Sequence, residues 1–220
     1  DIEQFQRCPL RRGTTRWIRG RSFPVTDAAY VALDPLVSRS PAQALAAAAA
    51  RLHALDRAGA ARDPRQLAAL YAVQADAYDM LELDHEARAA AAKGLVLIGG
   101  PTDPLRLELL STAALNVYTQ DGILDAIRTI ETARAGQPRG SLSDICLEIA
   151  FGRLELRADG YAAATRALTQ AYHETETPAR AEVHADAAIA LSSAMRDVGD
   201  FQEALTLAHE SIAWDDAHGD

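Results

Sequence analysis

Aromatic side chains are scarce: they make up 5% of the 220 residues, and only four are Phe. A β-sandwich or barrel core needs aromatic and β-branched side chains at alternate positions, so that class is excluded. Cysteine is scarcer still. Cys8 and Cys146 are too few for a disulfide framework and lack the paired spacing of a zinc site. No run of 18 apolar residues occurs, so no segment reads as a membrane span. There is no HExxH, no Gly-rich phosphate loop after a strand and no Gly-x-Ser-x-Gly. The expectation is a non-catalytic protein with no metal and no cofactor.

Positive charge is short overall but locally concentrated. The formal net charge is −9, yet residues 1–24 hold six Arg against Asp1 and Glu3, a net +4 that leaves −13 for the rest. A body that acidic repels phosphate backbones, which excludes nucleic acid as its partner. No apolar stretch follows Arg11-Arg12, so the pair is not an export signal of the twin-arginine kind. Residues 1–39 read as an irregular leader, broken by Pro9, Gly13, Gly20 and Pro24, with one short helix over Tyr30 to Val37 interrupted near Pro35.

What the chain has in abundance is alanine, 47 residues of it. Alanine is the best helix former, and its small side chain lets helix axes approach closely. The composition therefore predicts an all-α protein. Helix-start signals recur from residue 40 onward: Ser40-Pro41 with Gln43, Asp63-Pro64 with Gln66, Asp103-Pro104, Ser141 with Asp144, and Thr177-Pro178. The first of these predicts a helix over about 41–57. Between the later ones lie second starts at Asp84, Asp121, Asp159 and Asp200, separated by 37, 38 and 41 residues. A longer helix, a tight turn and a shorter helix at a near-constant period is the signature of stacked helix hairpins.

Clusters with catalytic or metal-binding residue types carry little. His209 and His218 could gather a metal with Asp215 or Asp216, but the two His fall on different faces of a continuous helix, which argues against it. His173-Glu174-Thr175-Glu176 reads as a ragged helix end. Asp76 and Asp79 lie one turn apart on one face and have the spacing of an acid/base pair, but no His or metal ligand accompanies them.

The residues that carry the repeat are Gly199-Asp200-Phe201 with Ala204, Asp159-Gly160-Tyr161 with Ala164 and Gly152, then Tyr71, Ala75, Tyr78 and Ala87, then Leu110, Ala114, Ala126, Ala133 and Pro138. In these the chain resembles the tetratricopeptide repeat family over about residues 60–216. It departs from that family in lacking the tryptophan near the start of the first helix, in Gly94 and Ser211 at one alanine position, and in Glu155 where an aromatic is expected. The resemblance implies a right-handed superhelical α-solenoid of antiparallel hairpins over 40–220, about four to five repeats, the helix near 41–57 being the second half of a degenerate first one. It also implies a concave groove lined by first helices, which takes a protein or peptide. Carried over position by position, Asp76, Asp79, Glu108, Leu115, Tyr118, Arg153, Arg157, Ser193 and Arg196 line it. Arg153, Arg157 and Arg196 would form a clamp for a carboxylate or phosphate, and Tyr118 would offer a flat contact with a polar tip.

The alanine-arginine-aspartate style and the closing His218-Gly219-Asp220 also resemble the sensory repeat region of bacterial GGDEF diguanylate cyclases. No GGDEF segment occurs in these residues, so cyclase activity would belong to a further domain. That likeness implies a sensor or interaction module of a larger signalling protein, periplasmic and open to homodimerisation. The alternative is a cytoplasmic peptide receptor or assembly scaffold that regulates transcription. Trp214 to Asp220 resembles the linker that follows a second helix, with the chain continuing or that end packing on another molecule.

Overall fold

The first helix of the regular array starts where Pro41 follows Ser40 and runs Pro41–Arg57, as expected from the start signal. The computed structural model describes residues 23–57 and 63–218, with backbone only for 178 and 215–218. The basic leader over 1–22, Cys8, residues 58–62 and Gly219-Asp220 lie outside the described residues. Every regular element among those described is a helix. Two short helices come first, α1 (Ala28–Val31) and α2 (Asp34–Arg39). They are followed by α3 (Pro41–Arg57), α4 (Pro64–Met80), α5 (Asp84–Leu97), α6 (Pro104–Leu115), α7 (Gln120–Ala135), α8 (Leu142–Arg157), α9 (Tyr161–Glu174), α10 (Ala181–Val198) and α11 (Phe201–His218).

Local chemistry explains the starts. The Asp63 side chain accepts a hydrogen bond from the Arg65 N–H at 3.0 Å, and Asp103 does the same for Leu105 at 3.0 Å. Pro64 and Pro104 fill first-turn positions whose N–H groups have no helical partner. Ser141 Oγ accepts from the Asp144 N–H at 3.2 Å. Pro178 opens only a 3-10 turn, Pro178–Arg180, before α10 begins. The four second helices begin within two residues of the Asp positions that announced them.

Three expectations need correction. The single helix over Tyr30 to Val37 is two helices, with the break at Ala32-Leu33 rather than at Pro35. Proline lacks the N–H a helix interior needs but suits a first turn, so Pro35 opens α2 instead of interrupting it. Residues 23–39 are not an irregular leader apart from the body, because Phe23, Val25, Tyr30, Leu33 and Val37 are all buried and belong to the common core. Trp214 to His218 is not a linker: α11 continues through it.

Consecutive helices pack on one another, and α4, α6, α8 and α10 also touch in that order. The backbones of the helices between them, α5, α7, α9 and α11, do not pack on each other among the described residues, although the Tyr172 hydroxyl on α9 reaches Glu210 on α11. Small residues sit where helix pairs cross. Ala75, Ala114 and Ser192 on first helices, and Ala87, Ala126, Ala164 and Ala204 on second helices, are all buried. A Cβ on Gly152 would meet Leu168 Cγ at 2.5 Å, so only glycine lets α8 and α9 come this close.

Candidate functional site

The first helices carry acids into the interior, and Asp76, Asp144, Glu148 and Asp186 are held by partners from other elements. Asp76 on α4 is 1% exposed. It accepts the Tyr30 hydroxyl at 2.7 Å and the Thr112 hydroxyl at 3.2 Å. Glu108 on α6 is buried and lies near the Cys146 thiol, which burial first, then Asp186 and Glu108, push well above the ordinary thiol value. Arg134 at the end of α7 reaches Asp144 at 2.9 Å and Glu148 at 2.8 Å on α8. Arg153 on α8 pairs with Asp186 on α10. These pairs cross-link the body; buried charge persists only where it is paired in this way.

Four of the nine residues assigned to a partner groove are therefore closed to solvent or nearly so. Asp76, Glu108 and Ser193 are buried, and the Arg153 side chain keeps only 10% of its surface exposed. Residues 23–39 cover α4, and Asp186 covers Arg153, which an open groove did not anticipate. Ser193 donates to the Ile189 carbonyl at 3.3 Å. The three-arginine clamp is not assembled either. Arg153 faces Asp186, Arg196 pairs with its neighbour Asp197 at 2.9 Å, and Arg157 turns elsewhere. The Asp76–Asp79 pair is likewise split between separate partners, Tyr30 and Thr112 for one, Asn116 for the other.

Of the remaining five, Arg196 stands apart on Asp197, and Asp79, Leu115, Tyr118 and Arg157 are brought together. Helix α6 stops at Leu115, and Asn116 at its C-cap donates through Nδ2 to Asp79 Oδ1 at 2.7 Å and to the Thr112 carbonyl at 2.9 Å. The chain then runs outside any helix through Val117 and Tyr118 to Thr119, which caps α7 by accepting the Gly122 N–H at 3.3 Å. Val117 is buried, so Tyr118 faces out and is 62% exposed. The Arg157 guanidinium, at the end of α8, donates to the Leu115 carbonyl and lies 5.3 Å from the centre of the Tyr118 ring. Burial pushes the Tyr118 phenol above its ordinary value, with Asp84 and Asp79 adding to the shift and Arg157 opposing it. Burial and the nearby Arg153 lower Arg157, while Tyr118, Asp79 and Asp84 hold it up.

The patch is an aromatic plate with a cation beneath it and two carboxylates beside it, at the meeting of α4, α5, α6 and α8. Asn116 and Asp84 are the members that sequence reasoning missed. The available signal was the four-residue connection Asn116 to Thr119, longer than the turns of the neighbouring hairpins. Among the described residues, no cluster of three His, Cys, Asp or Glu is placed to hold a metal ion. No described helix is long and apolar enough to cross a membrane. Comparison with protein-family models, with curated proteins and with solved structures finds no match.

Proposed function

We propose that the chain is a non-catalytic protein- or peptide-binding module of the tetratricopeptide type, its hairpins stacked as a right-handed superhelical solenoid. The pattern of helix contacts supports the stacking: each hairpin touches only its neighbours, through its first helix on the next first helix and through its second helix on that same helix. The buried small residues at Ala75, Ala87, Ala164, Ser192 and Ala204 support the register.

The partner docks at Tyr118 and Arg157. One observation carries this reading: a tyrosine with 62% of its surface in water is held over an arginine by neighbours from three other helices. An exposed aromatic ring fixed in advance loses little entropy on binding, and Tyr and Arg are the types that dominate binding hot spots. A peptide that lays a flat or aliphatic side chain on the ring and a carboxylate near Arg157 fits the patch.

The test is to select peptides from a random display library against the folded protein, then measure their affinity for variants. Tyr118→Ala should weaken capture at least tenfold, about 1.4 kcal/mol, with the melting temperature unchanged. Arg157→Lys should weaken acidic peptides more than neutral ones. Peptides that bind both variants as well as the parent would place the docking surface elsewhere.

A further inference from the structure

Of the four hairpins from α4 to α11, that formed by α6 and α7 is the loosest; its two helices meet over far less length than α4 with α5, α8 with α9 or α10 with α11. Where they part, a cleft of about 360 Å³ opens, at the small end of the range of about 300–1,000 Å³ typical of ligand pockets. Leu107, Leu110 and Ala133 line its apolar side, and Arg106, Arg128 and Thr132 are among its polar lining. Ala133 stands at the repeat position occupied by Ala171 on α9 and Ser211 on α11. Those two are fully buried, whereas Ala133 is half-buried, because α6 does not close over it.

The charge of the cleft is unlike that of the chain around it. Two arginines line it and no acid does, in a protein of net charge −9. Arg106 uses one terminal nitrogen on the Ile98 carbonyl at 3.0 Å, and Arg128 uses one on Asp125 at 2.8 Å. Each guanidinium carries five N–H donors, so both keep donors to offer. The Thr132 hydroxyl donates back to the Arg128 carbonyl at 2.8 Å, which commits its one hydrogen.

We propose that this cleft binds a small organic acid: a carboxylate held by Arg106 and Arg128, with an apolar body against Leu107, Leu110 and Ala133. An anion without an apolar part leaves the leucine side unfilled, and a neutral apolar molecule leaves the remaining donors of Arg106 and Arg128 unused. The site is separate from the Tyr118–Arg157 patch and does not depend on it.

Octanoate is the probe, titrated into protein with labelled Leu, Ala and Thr methyl groups and followed by heteronuclear NMR. Saturable shifts at Leu107, Leu110, Thr132 and Ala133, with a dissociation constant below about 1 mM, are expected. Octanol, octylamine and inorganic phosphate should each bind at least tenfold more weakly. Arg128→Glu, on an exposed side chain, should cost octanoate at least tenfold. Ala133→Leu should abolish binding by filling the cleft while Tyr118-dependent peptide capture persists. Octanol binding as tightly as octanoate would reduce the cleft to an apolar crease. Phosphate binding as tightly would reduce it to a charge site. Shifts centred elsewhere, or none, would overturn the proposal outright.

Discussion

The hairpins α10/α11 and α6/α7 follow the same order of a first and a second helix, yet one is closed and the other open. In the closed hairpin the turn is Gly199-Asp200, with Gly199 in the left-handed region at φ 91° and the Asp200 N–H bonded to the Met195 carbonyl at 2.8 Å. Helix contact is then sealed from within: Ser192 Oγ donates to the Ala204 carbonyl at 2.6 Å, and Ser211 Oγ to the Ala185 carbonyl at 3.1 Å. Tyr172, His184 and Glu210 bind α9, α10 and α11 further, the Tyr172 hydroxyl reaching Glu210 at 2.8 Å and its ring stacking on His184 at 4.5 Å. In the open hairpin, the position matching Gly199 is Asp121, already inside α7. The turns of α4/α5 and α8/α9 carry their own left-handed residues there, Glu82 at φ 58° and Asp159 at φ 59°. A single left-handed residue reverses the chain tightly. Without one, α6 leaves through Asn116 to Thr119, and α7 starts displaced from its partner.

The largest expected effect tests that contrast directly. Ala204→Asp puts a carboxylate at a position only 1% exposed, where α10 and α11 cross. It should cost on the order of 3 kcal/mol or more in urea unfolding, because a buried charge without a partner is expensive. Ala133→Asp, in the half-buried lining beside Arg106 and Arg128, should cost less than about 1 kcal/mol. Equal losses at the two sites would mean that α6 and α7 are as closely packed in solution as α10 and α11.

A smaller effect with opposite signs comes from the turns. Glu82 has a side chain where the backbone is left-handed, a conformation costing a non-glycine residue roughly 1–2 kcal/mol. Glu82→Gly should therefore raise stability by about 1 kcal/mol after the added freedom of the unfolded chain is set against that relief. Asp121→Gly, placed in the first turn of a helix, should gain nothing and lose up to about 1 kcal/mol. Chemical denaturation of the two variants beside the parent decides it; a gain at Asp121 would refute the account of why α6/α7 is open.

The closed hairpins are legible in the amino-acid sequence because their cues are local. Gly199-Asp200-Phe201 with Ala204, and Asp159-Gly160-Tyr161 with Ala164, place turn and crossing residues within a few positions of each other. The helix starts at Asp63-Pro64 and Asp103-Pro104 depend only on capping chemistry inside one turn. What stays hidden depends on residues far apart in the chain. Asp76 reads as a groove residue because nothing near it announces Tyr30, 46 positions earlier, as the donor that seals it. Arg153 reads as one of three clamp arginines because Asp186, 33 positions later, is not visible as its partner. Of the candidate site, Tyr118 and Arg157 can be placed on one face by register, but Asn116, which ends α6 and fixes Tyr118 outward, carries no motif of its own.

The smallest effect concerns what holds α7 once α6 has let it go. Arg134 at its end reaches Asp144 and Glu148 on α8, so α7 leans on the next hairpin instead of its own. Glu148 has only 3% of its side chain exposed, and burial raises its carboxyl above the ordinary value of 4.5, aided by Glu174 and Asp144 and opposed by Arg134. A folded state that keeps a proton longer than the unfolded chain is favoured by acid. The contribution of this group to stability is therefore full below pH 4.5 and shrinks as pH rises toward the raised value. Glu148→Gln removes the titration while Asp144 keeps Arg134 in place. Urea unfolding from pH 4 to 7 should then show the parent losing stability relative to the variant over that window. Parallel curves would mean that Arg134 compensates the burial of Glu148 fully, and that this link from α7 to α8 does not change with pH.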